Sequence, residues 1–224
     1  DVIRRLEKLP GIIRIRISSI EPTTIPDALL EHMAHSSILC HYLHVPIQSG
    51  DDDILRRMHR RYSVCEYKEC IEKAARMIPG ACFGTDVMVG FPGEGENEFA
   101  HTIDVINALP LSYFHVFSYS ERPGTAAGKF EEKVHPHIIK ARSKQLRTIS
   151  KTKRLASYHR YIGECVSVLF EQRDTAGYWT GLTDTYVRVS VRTDEDLANK
   201  LRLVHVAGIM GDKAVGELVG KNTK

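Results

Sequence analysis

The sequence predicts an α/β chain in two parts: a partial (β/α) barrel with an open lumen, then a small all-β barrel. Three observations carry this. Between residues 12 and 119, short strand-like runs alternate with longer helical ones, the βαβαβαβ order of parallel strands joined by crossovers. Each of these strand runs has a polar side, whereas a filled barrel would stack Val, Ile and Leu inside. Beyond Glu164 the helical period gives way to short strands separated by turn residues.

The first strand is Ile12–Ile20, with Ile13, Ile15 and Ile17 on one face and Arg14, Arg16 and Ser18 on the other. A helix starts near Pro26, which suits the first helical position. Cys40–Gln48 is the second strand, setting Leu43, Val45 and Ile47 against His44, Pro46 and Gln48. Asp51–Arg61 reads as a short helix. Ser63 opens the next helix with Glu66 three residues on, a capping box, and Tyr67, Ile71, Ala74 and Ile78 recur on one face. Residues 82–90 form a strand in which Asp86 opposes Val87 and Val89. Parallel strands covered by helices are normally apolar on both faces, so this carboxylate points to a sheet that encloses something polar. A helix over 94–109 repeats Phe99, Ile103, Ile106 and Leu109, and strand 111–119 puts His115 and Tyr119 on a single face.

The chain has 224 residues, 42% of them hydrophobic, enough to bury one large core or two smaller ones. No apolar run is long enough to span a bilayer, so a soluble, cytoplasmic protein is expected, with no membrane partner. The five cysteines are odd in number and scattered, which favours free thiols in a reducing compartment over a metal site. The net charge is only +3, but Lys133–Gly163 holds nine Lys or Arg and no acid. Residues 137–162 are expected to form a basic helix, with Lys140, Lys144, Arg147, Lys151, Arg154 and Arg160 around a partly apolar face. Like charges without acidic partners four residues away repel each other, so a polyanion such as RNA is a reasonable compensator. A solvated connecting helix is the plain alternative.

Chemistry is expected in the loops that follow the strands, because α/β sheets and barrels bind ligands at the carboxyl ends of their strands. Those ends are Ser18–Pro22, Gln48–Gly50, Gly90–Glu94 and Ser118–Ser120, the last leading to Arg122 and Thr125. Ser, Glu and Gln hydrogen-bond a ribose or an ammonium, and the Phe91–Gly93 turn offers an apolar edge and open backbone groups for a planar base. Any one loop is explained by tight turns and helix caps; four on one rim favour a site.

After the basic helix, Val166–Phe170, Gly177–Gly181, Tyr186–Val191, Leu201–Val206 and Ala214–Val219 suggest a five-stranded antiparallel barrel of the oligonucleotide-binding shape. Tyr178, Trp179 and Tyr186 are candidates to stack on bases or, equally, to fill the barrel, with core packing favoured for Trp179. The expected domains are therefore 1–134, a connecting helix over 135–162, and 163–224.

Five stretches in order, Arg16–Pro22, His44–Gly50, Arg57–Tyr62, Thr85–Glu94 and His115–Thr125, resemble the radical S-adenosylmethionine methylthiotransferases. The form Ser18-Ser19-Ile20-Glu21-Pro22 looks most like the branch that modifies threonylcarbamoyladenosine beside the tRNA anticodon. The tail is similar to that family's terminal TRAM domain, so the resemblance covers essentially the whole chain. It implies a radical-SAM barrel represented by its last four strands. The family's three cysteines, spaced Cys-x-x-x-Cys-x-x-Cys to hold a 4Fe–4S cluster, have no counterpart here. The chain therefore resembles a carboxyl-terminal fragment whose parent carries the clusters in its missing amino-terminal part.

What the resemblance implies about residues follows the motif matches. Ser19, Glu21, Gln48, Ser49 and Asp86 are expected to contact S-adenosylmethionine, and Phe91, Pro92 and Gly93 to flank its adenine. Arg60 matches a position suited to the methionine carboxylate, though a solvated helix end explains it as well. Lys140, Lys144, Arg147, Lys151, Arg154, Tyr178 and Tyr186 are the expected RNA contacts, with a tRNA anticodon stem-loop as partner. No residue is assigned to catalysis or to a metal. The implied reaction is methylthio transfer to the adenine C2, the fragment alone being inactive. The alternatives are a non-catalytic RNA-binding module, or a methylthiotransferase acting on isopentenyladenosine or on a ribosomal protein.

Overall fold

The computed structural model describes residues 2–220. A short helix α1 (Val2–Leu6) precedes strand β1 (Ile15–Ile17), and α2 (Asp27–His35) leads to β2 (Leu39–His44). Then come α3 (Asp52–Arg57), α4 (Val64–Met77), β3 (Cys82–Val89), α5 (Glu96–Ala108) and β4 (Tyr113–Ser118). The long helix α6 (Pro136–His159) follows, and then come β5 (Cys165–Arg173), β6 (Tyr178–Thr183), β7 (Arg188–Arg192), β8 (Leu201–Met210) and β9 (Lys213–Leu218). Strands β1 to β4 form one sheet in chain order, and β5 to β9 close a barrel in the order β5-β6-β7-β9-β8.

By its contacts the chain divides into two compact units, one made of Ile17–Ser36 and Leu43–Lys153. The other holds the residues up to Arg16, Ser37–Tyr42 and the residues from Arg154 on.

In the first unit, β3 and β4 are parallel with Asp86 opposite His115, and an isolated parallel bridge joins Gln48 to Val87. The helical crossovers cover the apolar side, where Val45, Ile47, Val87, Val89 and Ile71 are at most 1% exposed. Tyr67 of α4 anchors there: its hydroxyl donates to the Val45 carbonyl at 2.8 Å and to Thr85 Oγ1 at 3.1 Å. The capping box at the start of α4 is present, with Ser63 accepting from Glu66 N–H and Glu66 accepting from Ser63 N–H. Asp51 caps α3 by accepting from Asp53 N–H and Ile54 N–H, a contribution of about 1 kcal/mol. Strand β1 is shorter than the expected run, because hydrogen-bonded pairing reaches only Ile15–Ile17.

The second unit corrects one expectation: the barrel is not all antiparallel, since β7 and β9 pair in parallel. An odd ring cannot alternate direction all the way round, so closing five strands forces one parallel pair. Its core is built from Val168, Phe170, Trp179, Val189, Val204 and Val206, so Trp179 packs inside as expected. The arginine side of β1 also lies in this unit. Arg14 donates to the Leu182 and Ser167 carbonyls at 3.0 and 2.7 Å, and Arg16 donates to the Thr183 carbonyl at 2.8 Å. These guanidinium groups serve barrel backbone instead of lining an open lumen. Among the described residues, no helix is long and apolar enough to cross a membrane.

Candidate functional site

The carboxyl ends of the sheet strands gather most of the residues singled out from the sequence. Ser19 and Glu21 are exposed beyond β1. Glu21 Oε1 receives a hydrogen bond from Arg60 at 3.2 Å, so the two groups expected to meet the ends of an amino acid meet each other. The Arg60 Nε is buried without a partner. Gln48 adopts φ 67°, and its backbone is held on both sides, its N–H to the Asp86 carbonyl and its carbonyl to Met88 N–H. Ser49 is 1% exposed, with its hydroxyl 3.3 Å from Asp51 N–H and 3.5 Å from the Thr102 hydroxyl. That hydroxyl fixes the loop.

Asp86 stands on the open face of β3, where His44 Nε2 approaches its carboxylate at 3.0 Å. The rings of His44 and His115 are 5.8 Å apart, and Tyr113 packs edge-on to His115. The inward carboxylate thus heads a polar row across β2, β3 and β4. The sequence flagged Asp86 and His115 but not the His44–Asp86 pair, which the period-two alternation of β2 and β3 makes readable.

The Phe91–Gly93 turn is locked from three directions. Gly90 has φ 77°, and a Cβ there would meet the Ile139 side chain of α6 at 2.4 Å. Gly93 has φ 93°, and a Cβ there would meet Arg57 Nη1 at 2.0 Å. Arg57 donates to the Pro92 carbonyl at 3.0 Å and to Glu132 at 2.5 Å. Phe91 is 5% exposed and packs edge-on to Tyr119 and Phe130, so its ring supports the turn from inside.

Glu94 closes the turn. Its carboxylate accepts from Gly90 N–H at 3.0 Å and from Arg142 of α6 at 2.7 Å. Arg142 is 5% exposed, also binds the Glu94 carbonyl and Glu96, and lies over the Phe99 ring. Burial pushes the Glu94 carboxyl up from its usual range, and Gly90 N–H and Arg142 work against that rise. Sequence reasoning missed this clamp. The available signal was the arginine standing on the partly apolar face of α6, where an unpaired charge would be costly.

On the other side of α6, Lys140, Lys144, Arg147 and Lys151 recur at helical spacing and line a cavity of about 920 Å³ together with Ser118 and Tyr119 from the end of β4. Tyr178 and Tyr186 belong to the other compact unit, as does Arg154. Tyr186 stacks on Tyr42 with ring centroids 4.6 Å apart, and Arg16 sits 4.7 Å from the Tyr186 ring. Tyr178 has Arg192 5.9 Å from its ring.

Residues 1–106 match the Radical SAM superfamily. The similarity to tRNA methylthiotransferases runs over most of the chain. It is 34% identical over 203 residues, 89% of this chain and 45% of the relative, to the threonylcarbamoyladenosine tRNA methylthiotransferase MtaB of Bacillus subtilis. It is 31% identical over 221 residues, 98% of this chain and 48% of the relative, to the tRNA-2-methylthio-N(6)-dimethylallyladenosine synthase of Finegoldia magna. The chain thus spans about half the length of the curated relatives it matches. Among solved structures, the radical SAM coproporphyrinogen III oxidase HemN of Escherichia coli matches at a TM-score of 0.52 and 14% identity, covering 76% of this chain and 46% of that one. That likeness bears on the fold alone.

Cys40 and Cys82 are buried, Cys70 is half-buried, and Cys65 and Cys165 are exposed. Among the described residues, no group of three or more Cys, His, Asp or Glu is placed to hold a metal ion. At the rim, the Glu21 carboxylate and the Arg60 guanidinium, whose Nε is buried without a partner, stand 3.2 Å apart.

Proposed function

We propose that this chain supplies the nucleotide-binding half of the barrel and the RNA-facing surface of a tRNA methylthiotransferase. In this reading the enzyme adds a methylthio group to C2 of threonylcarbamoyladenosine beside the anticodon, in the cytoplasm, where its tRNA substrate resides. The observation that carries the reading is the chain-long similarity to MtaB- and MiaB-type tRNA methylthiotransferases. S-adenosylmethionine, when bound, supplies the 5′-deoxyadenosyl group of the radical chemistry. The iron–sulfur clusters and the anticodon-side remainder of the active site come from an amino-terminal part of the parent enzyme, so the chain alone does not turn over.

On the rim, Glu21 takes the ammonium of S-adenosylmethionine and Arg60 its carboxylate, exchanging their mutual pair for the ligand's two charges. Ser19, Gln48 and Asp86 offer polar contacts to the remainder. Ser49 holds the Gln48 loop, and Phe91, Pro92 and Gly93 shape the adenine end. Lys140, Lys144, Arg147, Lys151 and Arg154 meet the phosphates of the anticodon stem-loop. The five-stranded barrel serves as a TRAM domain, with Tyr178 and Tyr186 toward the RNA.

Calorimetric titration of S-adenosylmethionine into the chain tests the rim. Arg60→Ala and Glu21→Gln are each expected to weaken binding roughly tenfold, the loss of one charge-assisted hydrogen bond. Absence of binding by the unaltered chain, or binding indifferent to both changes, would count against this rim as the cofactor site.

A further inference from the structure

Of the six buried side-chain nitrogen and oxygen atoms that find no partner among the described residues, two stand at one place: Tyr119 Oη and Ser143 Oγ. Both residues line the cavity beside α6. Ser143 is 3% exposed, and Tyr119 is held by its edge contact with Phe91. Leaving a hydroxyl buried and unpaired is costly, and two beside one cavity mark where the polar groups of a ligand would be satisfied.

The rest of the cavity says which ligand. Lys140, Lys144, Arg147 and Lys151 form a cationic stripe along its helical wall, spanning about 16 Å from end to end. None of the four has an ion pair among the described residues, and all four are exposed. Pro136, Ile139 and the lysine stems give the walls an apolar component. A volume of about 920 Å³ is far larger than a lone phosphate requires and lies in the range of organic ligands. Charge on the rim, carbon in the wall and hydroxyls that both donate and accept are the complement of a nucleotide: phosphate outside, sugar and base within.

We propose that this cavity is a subsite for one unpaired nucleotide of the RNA substrate, separate from the reacting nucleoside. The stripe holds its flanking phosphates, and Tyr119 and Ser143 receive the polar edge of its sugar or base. The subsite rests on the reading of the chain as part of an RNA-modifying enzyme. It adds to that reading a contact that is not merely electrostatic, because hydroxyl contacts carry no counterion-release term. Tyr119 stands just past the end of β4 and the lysines stand on α6, so an RNA strand seated here runs off the strand-end rim along the helix.

The test is fluorescence anisotropy of the full chain with a labelled single-stranded anticodon-loop RNA over a series of salt concentrations. Tyr119→Phe and Ser143→Ala are each expected to weaken binding roughly threefold to tenfold with an unchanged salt slope, because each removes a neutral hydrogen bond. Neither is expected to lower the melting temperature, since each deletes an orphaned hydroxyl from the free protein. RNA binding by the double variant equal to that of the unaltered chain would overturn the subsite while leaving the RNA reading intact. Competition by adenosine monophosphate as effective as unlabelled RNA would assign the cavity to a free nucleotide and overturn it too. If the unaltered chain binds no RNA even at low salt, the RNA reading falls and takes the subsite with it.

Discussion

Arg142 and Arg147 stand little more than one turn apart on α6, and their surroundings are opposite. Arg142 is buried, bonded to Glu94 and Glu96, and covered by Phe99. Arg147 is exposed, has no ion pair among the described residues, and lines a cavity with three lysines. The first arginine is held by the protein's own structure. The second faces outward toward whatever fills the cavity. One helix thus carries two uses of the same side chain, and burial with pairing separates them where composition does not.

The sharpest way to break this comparison is to remove Arg142. Arg142→Met leaves the Glu94 carboxylate buried without its counter-charge and is expected to cost about 3–5 kcal/mol of stability, read from urea unfolding. Replacing Glu94 by Gln in the same chain should restore part of that loss, because the buried charge is then gone while an acceptor for Gly90 N–H remains. A loss below about 1 kcal/mol in the single variant would place Arg142 with the exposed cations after all.

Gly90→Ala comes next in size. The residue has φ 77°, and its new Cβ would press on Ile139 of α6, so a cost of about 1–3 kcal/mol is expected. Because Ile139 also lines the cavity, this substitution should disturb RNA binding as well as stability. An unchanged melting temperature would mean that the turn and α6 are not packed as closely as the geometry requires.

Much of this arrangement was legible in the chain, and the illegible remainder has common causes. Helix α4 announced itself through Ser63, Glu66 and the Tyr67–Ile78 stripe, because local capping and periodicity are local physics. The partners of Glu21, Asp86 and Glu94 lie far away in sequence, at Arg60, His44 and Arg142, and no local pattern encodes which cation meets which acid. The polar side of β1 was visible as Arg14 and Arg16, but not that barrel carbonyls would receive them. The parallel β7–β9 pair was missed for a topological reason, since single-strand patterns are blind to ring closure. The stack of the Tyr186 ring on Tyr42, with Arg16 nearby, is likewise a pairing that spacing cannot announce.

On the cavity side of α6 the expected stability effects are small and the binding effects are not. Lys144→Ala combined with Arg147→Ala should change unfolding by no more than about 0.5 kcal/mol, because neither group is paired. The same pair should flatten the logarithmic salt dependence of RNA binding by about 1.4, the loss of two phosphate contacts to a single strand. A stability loss as large as that of Arg142→Met would erase the distinction between the two sides of the helix.

Between these extremes lies a pair with one buried and one exposed member, and pH separates its two parts. His101 Nδ1 is 2.8 Å from Asp51 Oδ2; the Asp51 side chain is 11% exposed and the His101 side chain 59%. The hydrogen bond to Asp51 raises the His101 pKa above its usual value. Burial pushes the Asp51 carboxyl up, but His101 and the Ile54 and Asp53 N–H groups outweigh it and leave its pKa lowered. A raised histidine pKa means that the folded state holds the proton more tightly. The pair's contribution is therefore present below the ordinary histidine pKa of about 6.5 and is lost as pH climbs through the higher folded value. For Asp51 the sense is reversed: its contribution stands above the ordinary aspartate pKa of about 3.9 and fades as pH falls through the lower folded value. His101→Gln should therefore melt below the unaltered chain near about pH 5.5 and converge with it in mildly alkaline buffer. Asp51→Ala should stay destabilised in both buffers, by about 1 kcal/mol, because its cap on α3 does not depend on the histidine. If His101→Gln were equally destabilised at both pH values, the contact would be packing and not charge, and exposure would have decided the matter as it does for Arg147.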